Sequence, residues 1–399
     1  MSTGSEYARH WTLDRSVVFL NHGSFGACPS HLLAYQAELI ARMEREPMRF
    51  FVMELPGLLE EALSDLGRFI GADPAGLTFV NNASSAVSAV LRSLPFQAGD
   101  RLLTTDHAYP ACRNALDFIA ERTGLEVIVA RVPFPAAGPD QVFDAIMEAW
   151  QPGVRLALLD HITSPTGLLF PIDRLVEALQ SRGTDVLVDG AHAPGMIDLD
   201  LQQLGAAYYT GNCHKWMCTP KGSAFLHVRS DRIDGVRPLT ISHGATAPTG
   251  ASSRFRHEFD WTGTDDPTPW LTVPESIRYF RKLLPGGWPA MRERNRELLT
   301  GAVEAMTGIA GLAAPGPPEM LLNLAAFPLP DDPRADDKDA FGFSAIRRQL
   351  LADYRIQIPV WTWPQVPGRA VRLSVQLYND LPQYTYLAKA VKTLLEAEG

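Results

Sequence analysis

Short apolar runs alternate with amphipathic stretches between residues 77 and 228, and this alternation constrains the fold more than any other feature of the sequence. Six runs have the length and composition of β-strands, at residues 77–80, 101–105, 125–132, 155–160, 186–188 and 224–228. Stretches between them carry apolar residues at helical spacing, at residues 84–94, 111–122, 141–150 and 172–182. The pattern predicts an α/β fold with a mostly parallel sheet between helices, which binds its ligand at the carboxyl ends of the strands.

The flanking segments indicate further parts of the molecule. Two predicted helices precede the sheet, at residues 31–45 and 55–70, and a loop rich in glycine, serine, threonine and proline follows it at 241–269. The remainder mixes predicted helices and strands, at residues 273–284, 291–306, 321–327, 343–354, 356–360, 370–375 and 384–396. We expect an N-terminal segment at residues 1–30 that packs near the active site, a large domain at 31–265 and a smaller α+β domain at 266–399. The acidic stretch at 329–340 is expected to be an exposed loop without function.

The composition limits the classes of function. With 399 residues, 46% of them hydrophobic and 20% charged, the chain is long enough for a large core. A net charge of −9 without a block of lysine or arginine disfavours nucleic acid as a partner and favours a small molecule. The polar N-terminus and the lack of an apolar stretch of bilayer length predict a cytoplasmic protein that does not insert into membranes. The four cysteines fit neither a disulfide framework nor a zinc site, so we expect reduced thiols at Cys28, Cys112, Cys213 and Cys218.

Two charged residues stand where chemistry is expected. Asp189 follows the apolar run 186–188, and a carboxylate buried at a strand end needs a cationic partner such as a protonated pyridine nitrogen. Lys215 lies in residues 208–216, which we expect to form a turn between two strands. Its neighbours Trp216 and Met217 would desolvate its amine and favour attack on an aldehyde. Taken separately, Asp189 fits a turn cap and Lys215 a solvated surface charge. The pair favours a cofactor site.

Three further positions add to this pair. Ala83 and Ser84 lie where a predicted strand runs into a helix, which suits a phosphate or an ordinary serine cap. His107 follows a strand end, where its ring fits either stacking on an aromatic cofactor or a loop histidine with its hydrogen bonds satisfied. Arg372 interrupts an apolar strand and needs an anion, either a substrate carboxylate or a structural salt bridge.

Together these motifs resemble class V aminotransferase-fold enzymes, and most closely their isopenicillin N epimerase-like branch. The resemblance rests on residues 19–29, 46–51 and 259–267 together with the Asp189 and Lys215 motifs, and it covers essentially the whole chain. It implies pyridoxal 5′-phosphate (PLP) as the cofactor and PLP-dependent transferase fold type I, with a seven-stranded sheet in the large domain.

The resemblance also implies a role for each matching residue of the cofactor site. Lys215 would hold PLP as a Schiff base and Asp189 would keep the pyridine nitrogen protonated. The other implied contacts are His107 stacked on the ring, His192 with Thr163 or Ser164 near the phenolic oxygen, and Ala83, Ser84, Asn212 and His214 at the phosphate. Gly263 and Thr264 would reach the phosphate of a neighbouring subunit, which implies a homodimer with shared active sites.

An amino-acid-type substrate is implied by the same resemblance. Asn21 and Arg372 would bind the substrate carboxylate, and His22 would lie beside the substrate. Arg49 is a weaker candidate for contact with the rest of the substrate.

Several reactions remain open, because racemisation, β-elimination, transamination and desulfuration share one carbanion at the α-carbon. Desulfuration is disfavoured, because it needs a cysteine nucleophile on a loop in the C-terminal part and no cysteine follows Cys218. Racemisation needs an acid on each face, Lys215 on one and His22, Tyr109 or a water on the other. We place an epimerase or racemase first and a C–S lyase, such as a cysteine desulfhydrase or hercynylcysteine sulfoxide lyase, second. Retention of Lys215 and Asp189 argues against a non-catalytic binding protein.

Overall fold

The computed structural model describes residues 4–246, 253–332, 344–365 and 367–398. Its strands are β1 (Val18–Phe19), β2 (Leu77–Val80), β3 (Arg101–Thr105), β4 (Glu126–Ala130), β5 (Val154–Asp160), β6 (Asp185–Asp189), β7 (Tyr208–Asn212), β8 (Ala224–Val228), β9 (Leu324–Leu329), β10 (Ile356–Gln357), β11 (Val360–Thr362) and β12 (Arg369–Ser374).

Its α-helices are α1 (His22–Phe25), α2 (Ser30–Arg45), α3 (Pro47–Arg49), α4 (Leu55–Ile70), α5 (Ala83–Ser93), α6 (Pro110–Thr123), α7 (Pro139–Ala149), α8 (Ile172–Gln180), α9 (Leu201–Leu204), α10 (Arg254–Asp260), α11 (Thr268–Leu271), α12 (Val273–Leu283), α13 (Gly287–Gly308), α14 (Ala345–Ala352) and α15 (Leu381–Glu398). A π-helical turn, Phe50–Glu54, joins α3 to α4. Turns of 3₁₀-helix cover Glu6–His10, Pro74–Gly76, Ser230–Gly235, His243–Thr246 and Pro318–Met320.

Strands β2 to β8 form one seven-stranded sheet, in the order β2-β8-β7-β6-β5-β3-β4. Strand β8 is antiparallel to both of its neighbours, and all other pairs in this sheet are parallel. Alternate residues of β5 enter two different cores: Leu156 and Leu158 pack with α5 and α6, whereas Ala157 and Leu159 pack with α7 and α8. Burial on both faces explains the nearly continuous apolar run, and the predicted mostly parallel sheet between helices is confirmed.

The register of this sheet brings several polar side chains to one edge. Asp160, the last residue of β5, pairs with Asp189, the last residue of β6, and Asp189 pairs with Thr210 on β7. Because these three strands are parallel, their carboxyl ends open into the same space. The site described below occupies that space.

One expectation from the sequence was wrong in part. It placed residues 208–216 in a turn between strands. Residues Tyr208–Asn212 instead form a strand between β6 and β8, and only the residues after Asn212 turn. Thr210, Gly211 and Asn212 interrupt the apolar pattern, so periodicity alone does not reveal the strand. Pairing on both sides holds it in place, and the Thr210 hydroxyl donates to the Phe225 carbonyl at 2.7 Å.

Two smaller sheets accompany the large one, and one of them joins the N-terminal and C-terminal parts of the chain. Strands β11, β12 and β9 form an antiparallel sheet in that order, and β1 pairs in parallel with β10. The N–H of Ser5 donates to the carbonyl of Tyr378 at 3.1 Å, so the N-terminal segment packs directly on the C-terminal part. The bounds of the three domains stay a prediction.

Two loop expectations were wrong in part. Within 241–269, residues Arg254–Asp260 form α10, because Phe255 and Phe259 are spaced to bury one helical face against the core beside α5 and α6. Within 329–340, Leu329 belongs to β9 and Asp332 is buried, with its carboxylate 3.4 Å from the Arg369 guanidinium. Residues 333–340 lie outside the described part of the chain.

All four cysteines are buried and free. Across the described ranges, no helix combines the length and the hydropathy needed to cross a bilayer.

Candidate active site

A cavity of about 460 Å³ opens at the carboxyl ends of β5, β6 and β7. Eight of the predicted site residues line it: Ala83, Ser84, Ser164, Asp189, His192, Asn212, His214 and Lys215. Side chains from distant parts of the chain complete the wall, among them Ser24, Phe25, Tyr109 and Asp160. A larger open groove of about 1150 Å³ lies along α8 and contains none of the predicted site residues. The sheet edge is therefore where the candidate chemistry converges.

Lys215 presents a buried amine to this cavity. Burial lowers the pKa of Lys215 to about 8, and the nearby Asp189 carboxylate only partly offsets this shift. Its Nζ lies 3.0 Å from His192 Nε2. His192 Nδ1 accepts the indole N–H of Trp216 at 3.1 Å, so the proton of the neutral ring lies on Nε2 and faces the lysine amine. The deprotonated amine, which the lowered pKa makes easier to reach, can accept this hydrogen bond and is the form that attacks an aldehyde.

His192 stays neutral, which agrees with this arrangement. Burial, and then the positive charge of Lys215, holds the pKa of His192 well below its ordinary value. The ring therefore serves as a fixed hydrogen-bond donor toward Nζ rather than as a second cation.

Asp189 is buried at the wall of the cavity and is held by two donors. One carboxylate oxygen accepts the backbone N–H of Ala191 at 3.0 Å, and the other accepts the Cys112 thiol at 3.2 Å. Burial raises the pKa of the Cys112 thiol well above its usual value, which keeps the S–H donor in place. A carboxylate anchored in this way suits a cationic nitrogen in the cavity.

A second carboxylate, Asp160, lies beside Asp189 and was not predicted as a site residue. Burial raises the pKa of Asp160 well above its usual value, and the negative charge of Asp189 adds to the shift. Burial therefore favours the protonated form of Asp160. The sequence contained the signal, since Asp160 ends an apolar strand just as Asp189 does.

The opposite end of the cavity has the donors that a phosphate needs. Asn82 caps α5 by accepting the Ser85 N–H at 2.9 Å, which aims the helix N-terminus at the cavity. Asn212 Oδ1 accepts the Ala83 N–H at 2.9 Å, so the amide N–H₂ of Asn212 is left for the cavity. His214 Nδ1 donates to the Ser223 carbonyl at 2.8 Å, and the Ser84 hydroxyl lies alongside.

Arg372 lies behind two serines rather than on the cavity wall. It is 1% exposed, its guanidinium lies 4.7 Å above the Trp361 ring, and burial lowers the pKa of Arg372 to about 9. It donates to the carbonyl and the hydroxyl of Ser164 and, at 3.3 Å, to the hydroxyl of Ser24. Within the described residues no carboxylate pairs with it, so the salt bridge considered from the sequence is not found there.

Other predicted contacts lie away from the cavity. Both ring nitrogens of His107 are occupied, Nδ1 by the Thr166 hydroxyl at 2.7 Å and Nε2 by the Val132 carbonyl at 3.0 Å. The structure does not bring His107 to the cavity; Tyr109, two residues later, lies there instead. Thr163 is turned toward the same Thr166 hydroxyl at 2.7 Å, and Ser164 lines the cavity in its place.

The remaining predicted site residues also do not line the cavity. Asn21 accepts the Ser24 hydroxyl at 2.6 Å, and exposed Arg49 pairs with Glu54 at 2.9 Å. His22 is fully buried with both ring nitrogens bonded. Gly263 and exposed Thr264 do not line the cavity of their own chain.

Comparison with known proteins decides the classification, because residues 34–381 match the model of aminotransferase class V. The chain belongs to this family. It is 35% identical over 394 residues to isopenicillin N epimerase from Streptomyces clavuligerus, with 96% of each chain covered. It is 31% identical over 418 residues to a probable chloroplastic L-cysteine desulfhydrase from Arabidopsis thaliana, covering 98% of this chain and 85% of the relative.

Solved structures of other enzymes share the fold. The cystine C-S lyase C-DES, in complex with its product cysteine persulfide, matches with a TM-score of 0.77 and 20% identity, over 94% of this chain and 97% of the other. The Escherichia coli cysteine desulfurase CsdA matches with a TM-score of 0.78 and 19% identity, over 99% and 98%. The predicted class V resemblance and PLP-dependent fold type I are confirmed.

The protein is a PLP-dependent enzyme, and its cavity fits that cofactor. The fit rests on the chemistry of three groups: a buried amine of lowered pKa for the aldehyde, an anchored carboxylate for the pyridine nitrogen, and a capped helix N-terminus for the phosphate.

Proposed function

We propose that the enzyme is an isopenicillin N epimerase-like epimerase or racemase, which inverts the α-carbon of an amino acid or of an amino-acid-derived substrate. The observation that carries the proposal is that the Lys215 amine and the Tyr109 side chain line one cavity, which supplies two groups able to move protons. Two isopenicillin N epimerases, 35% and 36% identical to this chain, support the same reaction.

Different residues of this chain would bind different parts of the cofactor. When bound, PLP withdraws electrons from the α-carbon of an attached amino acid and makes its proton acidic. Asp189 would face the pyridine nitrogen, and His192 and Ser164 would lie near the phenolic oxygen. Ala83, Ser84, Asn212 and His214 would hold the phosphate at the start of α5.

Arg372 would bind the substrate carboxylate. Its buried guanidinium has only neutral oxygen partners in the described structure, so an incoming carboxylate would gain a charge-assisted hydrogen bond. The hydroxyls of Ser24 and Ser164 lie between Arg372 and the cavity and would contact the same carboxylate. Asn21 would contribute by orienting Ser24.

Lys215 and Tyr109 account for the two proton transfers that an inversion needs. The neutral Lys215 amine takes the α-proton from one face, and the Tyr109 hydroxyl donates a proton to the other face. Burial raises the pKa of Tyr109, which keeps its hydroxyl protonated and ready to donate. Tyr109 is 42% exposed, so water at the cavity mouth can return its proton while Lys215 releases one. His22, considered as the second acid from the sequence, is unsuited because both its ring nitrogens are bonded away from the cavity.

We also propose a homodimer in which Gly263 and Thr264 contact the cofactor phosphate of the partner. Helix α3 and the π-helical turn that follows it carry an exposed apolar patch, made up of Met48, Val52 and Met53 with 76%, 63% and 76% exposure. Phe51 of the same turn packs edge-on against Trp261, at 5.9 Å between ring centroids, so the patch adjoins the segment that holds Gly263. A cytoplasmic location stays part of the proposal.

Incubation in deuterated water with a panel of L-amino acids and L-cysteine conjugates tests the reaction. Incorporation of deuterium at the α-carbon with inversion, and without keto acid, is expected. Release of pyruvate and ammonia would identify a C–S lyase instead, in line with the cysteine desulfhydrases among the relatives.

A further inference from the structure

The segment Asn21–Gly26 packs directly on the backbone of the catalytic lysine turn. Gly26 has a left-handed φ of 70°, and a Cβ placed on it would overlap the His214 carbonyl and come within 3.1 Å of Lys215 Cα. Only glycine permits this approach. An N-terminal segment and the loop that carries the reactive amine are therefore in backbone contact.

His22 provides the polar part of that contact. Its Nε2 lies 3.0 Å from the carbonyl oxygen of Lys215, and its Nδ1 lies 2.9 Å from the Tyr378 hydroxyl. Because a carbonyl only accepts hydrogen bonds, Nε2 carries the proton and Nδ1 accepts the hydroxyl of Tyr378. Burial lowers the pKa of His22 to about 3, so this tautomer stays neutral over the working range of the enzyme.

The surroundings of His22 hold the ring in one orientation. The Ala27 N–H donates to the same Nδ1 at 3.3 Å, and the ring packs on Trp216 with 4.8 Å between centroids. Tyr378 follows β12, the strand that carries Arg372. The hydrogen bonds of His22 therefore connect the lysine turn to the strand that holds the proposed carboxylate-binding arginine.

We propose that His22 is a positioning residue, which fixes the Lys215 carbonyl and thereby the reach of the Lys215 amine into the cavity, while Tyr378 fixes the ring of His22. This inference rests on the proposed role of Lys215 as the residue that binds PLP. His22 itself touches neither the cavity wall nor the lysine amine. The Lys215 carbonyl also accepts the backbone N–H of Cys218 at 3.1 Å, so loss of His22 removes one of its two donors and loosens the lysine turn.

The experiment compares His22→Ala, His22→Gln and Tyr378→Phe with the wild type. Apoenzyme is mixed with PLP, and the visible band of the lysine–cofactor adduct is followed over time and titrated with pH. His22→Ala is expected to slow adduct formation roughly tenfold and to shift the titration midpoint, because one buried hydrogen bond is lost. His22→Gln, whose amide can donate to the same carbonyl, is expected to recover most of the rate. Tyr378→Phe is expected to slow the reaction to a smaller extent.

Tyr279→Phe is the matched control. It removes a tyrosine hydroxyl that also lies 2.9 Å from a histidine Nδ1, that of His10, but that histidine does not contact the lysine turn. It is expected to lower stability without changing the adduct rate or its titration.

The outcomes separate this inference from the proposed function. A wild-type protein that forms no borohydride-reducible adduct at Lys215 would overturn the role of the lysine. Wild-type adduct formation with unchanged rate and titration in His22→Ala would overturn the role of His22 alone. If His22→Ala does not fold, Tyr378→Phe decides: a wild-type rate and titration there refute the inference, and a slower rate supports it.

Discussion

Replacing Lys215 by methionine should stabilise the cofactor-free protein at neutral pH. Methionine is close to lysine in length, fills the same buried space and carries no charge. The wild type, in contrast, buries an amine whose pKa falls from the ordinary 10.5 to about 8. Each unit of that shift corresponds to about 1.4 kcal/mol, so holding the amine protonated in the native state costs roughly 3 kcal/mol.

The sign of the pH dependence follows from proton binding. Below pH 8 both the native and the unfolded states carry the proton, and the whole cost of roughly 3 kcal/mol opposes folding. Between pH 8 and 10.5 the unfolded state binds more protons than the native state, so the stability contributed by Lys215 rises with pH. The advantage of Lys215→Met is expected to shrink to about 1 kcal/mol near pH 9.5.

Urea unfolding of both apoproteins at pH 7 and pH 9.5 measures this difference. Lys389→Met, which removes an exposed lysine from α15, is the control and is expected to show no pH-dependent gain. Equal stability of Lys215→Met and the wild type at both pH values would refute the argument that burial disfavours the charged form of the amine.

Three further predictions concern the cavity and the interface. Asp160→Asn is expected to keep cofactor loading and the visible spectrum because burial already favours the neutral form of Asp160, whereas Asp189→Asn is expected to lose tight binding; PLP titration of both apoproteins measures this. Arg372→Lys is expected to lower kcat/KM roughly 100-fold, since an ammonium cannot pair bidentately with a carboxylate, with an unchanged cofactor spectrum; an equal loss of cofactor would contradict this. Met53→Glu is expected to weaken the dimer, as measured by light scattering across protein concentrations, and an unchanged mass would refute the proposed interface.

The sequence predicted the large sheet well because strands buried on both faces carry continuous apolar runs. The same rule failed for Tyr208–Asn212, whose polar and glycine residues conceal a strand that its two neighbours impose. A helix was missed as well: the glycine and serine content around residues 254–260 concealed a short amphipathic helix.

For the candidate site, strand-end positions could be predicted but side-chain directions could not. Asp189 and Lys215 combine a residue type with a strand-end location, and the structure places both on the cavity wall. His107 and Tyr109 are two residues apart after the same strand, and only the tertiary packing around Thr166 decides which one faces the cavity. His22 lies in a matching motif, yet its role depends on contacts with residues almost 200 and more than 350 positions away, which spacing does not reveal.

The stereochemical fate of the α-proton in Tyr109→Phe tests the central claim most directly. Lys215 and Tyr109 are assigned to opposite faces, so the wild type should exchange the α-proton for deuterium with inversion. Tyr109→Phe should still exchange it through Lys215, but with retention of configuration. Inversion at the wild-type rate in Tyr109→Phe, or formation of pyruvate in place of the inverted amino acid by the wild type, would contradict the account.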